Sequence, residues 1–369
     1  MNKTNQNNIF IAGGGTGGHL FPAITIGNYL KREGLNVIYI GSRHGMENKY
    51  FNDNNISAEL LDIKGIQRDI SIKSIILNLY FPIRFIKTYL DSRKLIKKFN
   101  PKIIIGTGGY SSGLPLLAGI HMKIPTMIQD QNSVPGLITK KLCKKVNLIC
   151  LAYETAKFYL NTNNKILTGN PIRENLEIIN QNKAKKQLGL DVNKKIIFIL
   201  GGSQGSQIIN NHIYKNIDFY NKQNFQLFLQ CGKNNYNSIP RKIHESKNII
   251  VKKFIDNMSV AYSAADLVIS RAGALAISEL CYMRKAMILI PFKYAANNHQ
   301  ELNANEIQKN NACIKIKEHE LKIGLLEKTI KKVFQVPDKI NQLEKNSNKI
   351  AKKDSTIKII RNIKKIING

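Results

Sequence analysis

Three short segments rich in glycine and other small residues stand where an apolar strand should end and a helix should begin. They are residues 13–18, 201–206 and 270–274. In the first segment, Gly13, Gly15 and Gly18 fit the pattern GxGxxG. Backbone N–H groups in such a turn approach an anion closely, and a helix N-terminus adds about half a positive charge. The sequence therefore predicts several turns that are able to bind phosphate.

The first turn departs from a dinucleotide-binding fingerprint. That fingerprint needs an acidic residue at the end of the second strand, where it binds a ribose. Here the second strand ends in Tyr39–Arg43, which contains no carboxylate. The arginine leaves an NADP-type site open as an alternative. The pattern GxxxxGK[ST] of the P-loop nucleotide hydrolases is absent.

Two further side chains add chemistry to the later turns. Glu279 falls within the first turns of the helix after residues 270–274, where a carboxylate can accept two hydrogen bonds from a ribose diol. The alternative is a favourable charge near a helix N-terminus. Ser203 can add a hydroxyl donor to the second turn, which is otherwise a tight strand-to-helix connection needing small residues.

The elements that carry these turns predict an α/β fold. Strands alternate with helices and end in glycines, which indicates parallel sheets covered on both faces. The pattern restarts at Lys195–Leu200, so we expect two Rossmann-like domains joined near Leu167–Arg173. The expected division is residues 1–165, residues 166–345, and a terminal helix in 346–369 that packs back on the first domain.

Composition limits the classes of function. Five scattered cysteines without a CxxC pair indicate reduced thiols, and no signal peptide or apolar run of membrane-spanning length is evident, so we expect a cytoplasmic protein. The net charge of +31 attracts polyanions. Part of this charge is attributable to a composition rich in Lys, Asn and Ile. No helix-turn-helix, zinc-finger or RNP signature supports a nucleic-acid partner.

Seven motifs in order give a specific resemblance. They are GGGTGGHLFPA from Gly13, GTGGYSS from Gly106, QNSVPG from Gln131, TGNPIR from Thr168, GGSQG from Gly201, RAGALAISE from Arg271 and NHQELNA from Asn298. Together they resemble the MurG family of UDP-N-acetylglucosamine transferases, which convert lipid I into lipid II. The resemblance implies the GT-B architecture, with donor and acceptor meeting in a cleft between two domains.

The resemblance also implies a set of binding residues. In the second half, Ser203 and Arg173 would contact the diphosphate, Ile255 the uracil and Glu279 the ribose. Gln300 and Asn132 would contact the sugar. The diphosphate end would be lined by Ala274, Leu275, Ala276, Ile277 and Ser278. In the first half, Thr16, Gly17 and Gly18 would lie near the donor and the acceptor diphosphate. Asp130 stands where the family more often has Glu, which puts the detail of that loop in doubt.

The implied reaction is an inverting displacement by the C4 hydroxyl of lipid-linked N-acetylmuramic acid. His19 is the candidate general base, because an imidazole suits proton removal near neutral pH. The alternative is a loop histidine that orients a phosphate. No Asp-x-Asp metal motif occurs, so we expect neither a cofactor nor a protein-held metal. Helix N-termini, Arg173 and Ser203 would stabilise the leaving diphosphate.

A basic and apolar segment at residues 72–99 predicts contact with an anionic membrane. Its apolar residues are Ile75, Ile76, Leu79, Tyr80, Phe81, Ile83, Phe85 and Ile86, and its cations include Lys73, Arg84 and Lys87. Such a helix suits the surface of a bilayer, and Pro82 would kink or divide it. The alternative is a core-facing helix pair. We expect a peripheral protein on the cytoplasmic face of the inner membrane.

Three other functions compete with this interpretation. A different GT-B transferase, acting on a diacylglycerol or a small metabolite, would share the fold and the donor site. A UDP-N-acetylglucosamine 2-epimerase would need carboxylates in its cleft, and the sequence places none there. A basic nucleic-acid-binding protein would account for the charge of +31 but lacks a recognition motif.

Overall fold

The computed structural model describes residues 7–65, 71, 78–202 and 204–369 and forms two compact units. The first unit runs to Ile172 and also includes Asp354–Gly369, whereas the second is Arg173–Lys353. The sequence suggested a boundary after residue 165. The structure places it after Ile172, because a strand at Lys165–Leu167 still pairs with the first sheet.

Seven parallel strands form the sheet of the first unit in the part of the chain that is described. Their spatial order is β3-β2-β1-β4-β5-β6-β7. The strands are β1 (Asn8–Ala12), β2 (Asn36–Ser42), β3 (Ala58–Leu61), β4 (Ile103–Gly106), β5 (Thr126–Asp130), β6 (Leu148–Leu151) and β7 (Lys165–Leu167). The helices among them are α1 (Gly17–Arg32), α2 (Met46–Asp53), α3 (Phe81–Phe99), α4 (Tyr110–His121) and α5 (Leu137–Leu142), with a 3₁₀ turn at Glu154–Tyr159.

Alternation along β1 explains how this sheet is covered on both faces. Ile9 and Ile11 belong to one buried cluster, whereas Phe10 and Ala12 belong to another. Successive side chains of a strand point to opposite faces, and all five residues of β1 are buried. The strand is therefore apolar throughout, as expected of a central parallel strand.

Six parallel strands form the sheet of the second unit, again within the described residues. Their order is β10-β9-β8-β11-β12-β13. The strands are β8 (Lys195–Leu200), β9 (Phe225–Gln230), β10 (Ile249–Lys252), β11 (Leu267–Ser270), β12 (Met287–Leu289) and β13 (Ile314–Lys315). The helices are α6 (Gln181–Leu188), α7 (Gln207–Lys215), α8 (Ile217–Asn221), α9 (Arg241–His244), α10 (Met258–Ala264), α11 (Ala274–Tyr282), α12 (His299–Lys309), α13 (Leu325–Gln335) and α14 (Lys339–Ile350), with 3₁₀ turns at Lys233–Ser238, Ala296–Asn298 and Glu318–Ile323.

The last helix, α15 (Ser355–Asn368), returns to the first unit. Ile359 and Ile363 are fully buried there in the cluster that includes residues of α1. The Thr356 hydroxyl accepts a hydrogen bond from the Ile172 N–H at 3.0 Å. The suggested terminal segment 346–369 therefore combines two elements, because residues up to Ile350 complete α14 in the second unit.

Each sheet reverses its winding direction at one pair of neighbouring strands. In the first unit this pair is β1 and β4, and in the second it is β8 and β11. Ligands of open parallel sheets bind beyond the carboxyl ends of the strands at such a switch point. The small-residue turns at 13–18, 201–206 and 270–274 follow β1, β8 and β11, so the topology brings all three to switch points.

None of the helices in the described ranges combines the length and apolar character needed to cross a bilayer.

Candidate functional site

In the first unit, the turns after β1 and β4 interlock around the start of α1. The Thr107 hydroxyl donates to the His19 carbonyl oxygen at 2.7 Å. A Cβ at Gly13 would lie 1.9 Å from that hydroxyl, and one at Gly109 would lie 2.3 Å from the Gly14 carbonyl oxygen. Gly109 also has a φ of +73°, a conformation that glycine adopts readily. Glycine is therefore needed at Gly109, where two backbones approach closely, and at Gly13, where the Thr107 hydroxyl lies against the chain.

The half-buried His19 ring is held by two oxygen acceptors. Its Nδ1 lies 2.9 Å from Gln131 Oε1 and 3.1 Å from the Thr107 carbonyl oxygen. The Gln131 amide orientation follows from its other contacts, since its Nε2 donates to the carbonyl oxygens of Thr107 and Gln129 at 2.7 and 2.9 Å. Two acceptors at Nδ1 require the hydrogen on that nitrogen. In the neutral ring Nε2 is then the basic atom.

A buried carboxylate that the sequence analysis missed lies under the first turn. Glu47 is fully buried, and its two oxygens accept the N–H groups of Gly15 at 2.7 Å and Ser42 at 2.9 Å. A Cβ at Gly14 or Gly45 would lie within about 2.2 Å of this carboxyl group. Glu47 therefore fixes the path of the turn and engages the Gly15 N–H. The predicted anion-binding residues Thr16, Gly17 and Gly18 follow directly, at the start of α1.

Asp130 organises the loop that carries Asn132. Its Oδ2 accepts from the Gly136 N–H at 3.0 Å and from the Thr139 hydroxyl at 2.5 Å. Its Oδ1 accepts from the Asn132 N–H at 3.3 Å. The shorter acidic side chain thus anchors both ends of the loop, and Asn132 stands half-buried next to Gln131, the partner of His19.

In the second unit, the turn after β8 is fixed by the end of β9. Gly205 and Gly232 both have positive φ, and a Cβ at Gly205 would lie 1.8 Å from the Cys231 carbonyl oxygen. The buried Gln230 side chain donates to the Gly202 carbonyl oxygen at 3.0 Å and accepts from the Ile255 N–H at 3.0 Å. Gln230 therefore ties this turn to the predicted uracil contact. Ser203 lies outside the described residues.

The turn after β11 brings two predicted residues into direct contact. Glu279 is buried in the second turn of α11, and its Oε1 accepts from Arg173 Nε at 2.7 Å. Its Oε2 accepts from the Tyr262 hydroxyl at 2.9 Å. Burial raises the pKa of the Tyr262 phenol well above its usual value of 10.0, and the Glu279 charge raises it further. The phenol therefore stays protonated and donates.

The other predicted site residues of α11 differ in which of their groups a ligand could contact. The Ile277 side chain is buried in the protein interior, so this residue offers a ligand only its backbone. The Ser278 hydroxyl donates to the Ala274 carbonyl oxygen at 3.0 Å, as helical serines often do. Leu275 and Ala276 are half-buried at the first turn. The N-cap residue, Gly273, has no side chain to cap the helix, which suits a helix end that receives an anion.

Gln300 lies in the first turn of α12. Its Oε1 accepts from the Phe292 N–H at 3.0 Å, which directs the carboxamide and leaves donation to the amide nitrogen. The neighbouring His299 is held by the Ala296 carbonyl oxygen, 2.7 Å from its Nδ1.

Two parallel-sheet units, each with small-residue turns at its switch point, match the GT-B fold, and comparisons with known proteins identify the class as a glycosyltransferase. The glycosyltransferase family 28 N-terminal domain model matches residues 9–150, and the C-terminal domain model matches residues 196–359. A solved Acinetobacter baumannii MurG structure superposes with a TM-score of 0.77 at 24% identity, covering 97% of this chain and 99% of that one.

Curated relatives are similar over their whole length. A Flavobacterium psychrophilum protein is 38% identical and covers 99% of each chain, and a Christiangramia forsetii protein is 36% identical over 98% of each. Both are named UDP-N-acetylglucosamine--N-acetylmuramyl-(pentapeptide) pyrophosphoryl-undecaprenol N-acetylglucosamine transferase. The chain belongs to the MurG family of glycosyltransferases.

The His19 environment predicts its tautomer. In a long-range ¹H–¹⁵N spectrum of the unliganded protein, the neutral His19 ring should carry its hydrogen on Nδ1, because both neighbours of that nitrogen are acceptors. A His19→Ala spectrum assigns the signal. Gln131→Leu removes one acceptor and should shift the ring toward the Nε2–H form. A parent protein that is mainly Nε2–H would contradict the assignment.

Proposed function

We propose that the protein transfers N-acetylglucosamine from UDP-N-acetylglucosamine to the C4 hydroxyl of N-acetylmuramic acid in lipid I. The product is lipid II for peptidoglycan synthesis, and the anomeric configuration inverts. Curated relatives that match from end to end are named for this transfer. The observation that carries the proposal is the buried Glu279 carboxylate paired with Arg173 beside the start of α11. This arrangement suits a ribose next to a diphosphate.

The nucleotide is proposed to bind the second unit through complementary charges. Glu279 accepts the ribose hydroxyls, and the first-turn N–H groups of α11 face the diphosphate. Arg173 supplies positive charge there. A guanidinium carries five N–H donors, so a single hydrogen bond to Glu279 is compatible with phosphate contacts. Ser203 is proposed as a further diphosphate contact.

The uracil and the sugar are assigned to other segments of the chain. The Ile255 N–H already donates to Gln230, so we assign its carbonyl oxygen as acceptor for the uracil N3–H. Gln300 donates from its amide nitrogen to the sugar hydroxyls. Asn132 remains a proposed sugar contact from the first unit, where Thr16, Gly17 and Gly18 are proposed to lie near phosphate.

The proposed chemistry is a single displacement. The C4 hydroxyl oxygen bonds to the anomeric carbon as the bond from that carbon to the diphosphate oxygen breaks. The hydroxyl proton passes to His19 Nε2, the basic nitrogen of the Nδ1–H ring. The bonding pair leaves with UDP, where the α11 N-terminus and Arg173 stabilise the added negative charge. Fixed dipoles of this kind often contribute several kcal/mol to a reaction.

Replacing His19 separates proton transfer from donor binding. His19→Ala should lower kcat by about 10²- to 10⁴-fold while the Kd for UDP-N-acetylglucosamine changes little, because the groups proposed to bind the uridine and its ribose belong to the second unit. The assay is transfer of labelled sugar to a short-chain lipid I. His121→Ala, an exposed histidine bonded to Tyr89, is the control and should keep the parent kcat. Parent-like turnover in His19→Ala would remove this residue from the mechanism, and a parent protein that forms no disaccharide would overturn the proposed function.

Membrane attachment is proposed for the solvent-facing side of α3 and the residues just before it. Leu79, Ile83, Ile86 and Leu90 form an apolar stripe at helical spacing, and their exposed fractions are 73%, 66%, 59% and 49%. The buried side of α3 is a different one and carries Thr88, Ser92 and Ile96.

The orientation of α3 argues against the alternative of an ordinary core-facing helix for this stripe. Pro82 lies in the first turn of α3, so it begins the helix instead of kinking it. Lys87 is exposed beside the stripe, which suits anionic head groups on the cytoplasmic leaflet, whereas Arg84 is only 21% exposed and its Nε lies 3.6 Å from Asp62 Oδ2. Lys73, Ile75 and Ile76, which belonged to the predicted segment, lie outside the described residues.

Binding to vesicles tests this surface. The double variant Ile83→Asn and Ile86→Asn should weaken binding to phosphatidylglycerol-containing vesicles by about tenfold or more, because two apolar side chains no longer enter the interface. Cosedimentation measures the change. Ile357→Asn, at a half-exposed isoleucine on α15, is the matched control. Unchanged binding of the double variant, or equal binding to uncharged vesicles, would rule out the proposed surface.

A further inference from the structure

The Glu279 carboxylate is held from two sides by groups of different mobility. On one side is the Arg173 guanidinium, whose side chain is 46% exposed and bonds to Oε1. On the other side is the Tyr262 hydroxyl, which is fully buried and bonds to Oε2. Neither sequence motif nor spacing pointed to Tyr262. It lies on α10, away from the turns that carry the predicted site residues.

We propose that Tyr262 is a positioning residue for donor binding, whose phenol fixes the Glu279 carboxylate in the orientation that receives the ribose diol. The inference rests on the proposed function, because it takes Glu279 as the ribose-binding group. Tyr262 itself touches Glu279 and acts on the nucleotide only through it.

The orientation of the Glu279 carboxylate decides which of its lone-pair positions remain for a ligand. An ionised carboxylate offers about four lone-pair positions on its two oxygens. Arg173 and Tyr262 occupy one position on each oxygen. One position on each oxygen then remains, and a ribose diol supplies two hydroxyl donors. The pair of contacts thus leaves a carboxylate suited to a vicinal diol.

The phenol also prevents a competing arrangement. A guanidinium and a carboxylate readily form a bidentate ion pair in which both carboxylate oxygens accept hydrogen bonds. In this structure Arg173 Nε donates to Glu279 Oε1, whereas Oε2 accepts from the Tyr262 hydroxyl. Without the hydroxyl, the carboxylate would turn toward Arg173 and both oxygens would be used by the protein. The ribose would then compete with an internal ion pair.

Rigid packing makes Tyr262 suited to this task. All seven residues of α10 are buried, and the Tyr262 ring meets Phe198 of β8 edge-on at a centroid distance of 5.8 Å. Because the ring is enclosed, its hydroxyl is held in place by the interior of the second unit. A residue on a solvent-exposed loop would not fix a carboxylate as firmly.

The same unit contains a matched control. Tyr220 is also fully buried, and its hydroxyl donates to a buried carboxylate, Glu327, at 2.7 Å. Glu327 is on α13 and is also bonded to His212 at 2.7 Å, outside the proposed nucleotide site. Tyr220→Phe therefore removes a phenol oxygen and its hydrogen bond to a buried carboxylate, as Tyr262→Phe does. Only the Tyr262 change alters the proposed ribose-binding group.

The test is calorimetric binding of UDP and of 2′,3′-dideoxy-UDP, which lacks the ribose diol. Tyr262→Phe should weaken UDP binding by about tenfold, because the ribose must then displace one additional charge-assisted hydrogen bond from Arg173 to Glu279, and it should leave dideoxy-UDP binding nearly unchanged. In turnover assays KM for UDP-N-acetylglucosamine should rise while kcat is retained. Tyr220→Phe should bind both nucleotides as the parent does.

A second variant tests the competing ion pair. In an Arg173→Ala background, Tyr262→Phe should cost much less UDP affinity, because no guanidinium is left to draw the carboxylate away. Thermal unfolding of each variant checks that it folds.

The outcomes separate this inference from the function on which it rests. If the parent prefers UDP over dideoxy-UDP and Tyr262→Phe keeps the full preference, Tyr262 does not position Glu279. Equal losses for the two nucleotides in Tyr262→Phe would show a general structural role and also overturn the inference. If the parent binds both nucleotides equally, Glu279 does not bind the ribose, and the assignment of the donor site fails as well.

Discussion

The proposed donor site depends on one buried carboxylate whose charge is paired within the protein before any ligand arrives. Glu279 is enclosed by α11 and α10, and an isolated charge in that position would be costly. The ion pair with Arg173 and the hydrogen bond from Tyr262 remove that cost. They also fix the orientation of the two Glu279 carboxylate oxygens. In the proposed site, the same three side chains therefore serve both stability and recognition of the donor.

The two units place their candidate site residues at the same position in the fold. In each, a strand at the switch point of a parallel sheet ends in a small-residue turn, and a helix begins there. In the first unit a histidine, His19, lies in the first turn of α1 and is oriented by Gln131. In the second, Glu279 lies in the second turn of α11. Placing a side chain within two turns of a helix start puts it beside the N–H groups that attract phosphate.

Much of this arrangement could be predicted from the sequence because it follows local rules. Strands such as β8 are short apolar runs followed by small residues, and β8 was predicted at its observed bounds. The two-domain α/β architecture followed from that alternation. The edge strands β3, β7 and β13 were missed, because a few residues paired on one side carry little apolar pattern of their own, and β6, an apolar strand between β5 and β7, was missed as well.

The side chains that fix the site were harder to predict, since they act at a distance along the chain. Glu47 reaches Gly15, and Gln230 joins Gly202 to Ile255, through contacts that only the fold creates. In the sequence, Tyr262 cannot be told from the other core aromatic residues. Only the fold shows that its hydroxyl donates to Glu279. Sequence patterns report which face of an element is buried. They do not report which buried polar group meets which, because that depends on the register of separate strands and helices.

The central claim is that the second unit holds the uridine diphosphate at the start of α11 and at the end of β10. Backbone hydrogen exchange with and without saturating UDP tests it most directly. The account predicts slower exchange at the first-turn amides of α11 and in the segment around Ile255, with α13 unchanged. Exchange at α11 that is the same with and without bound UDP would contradict it.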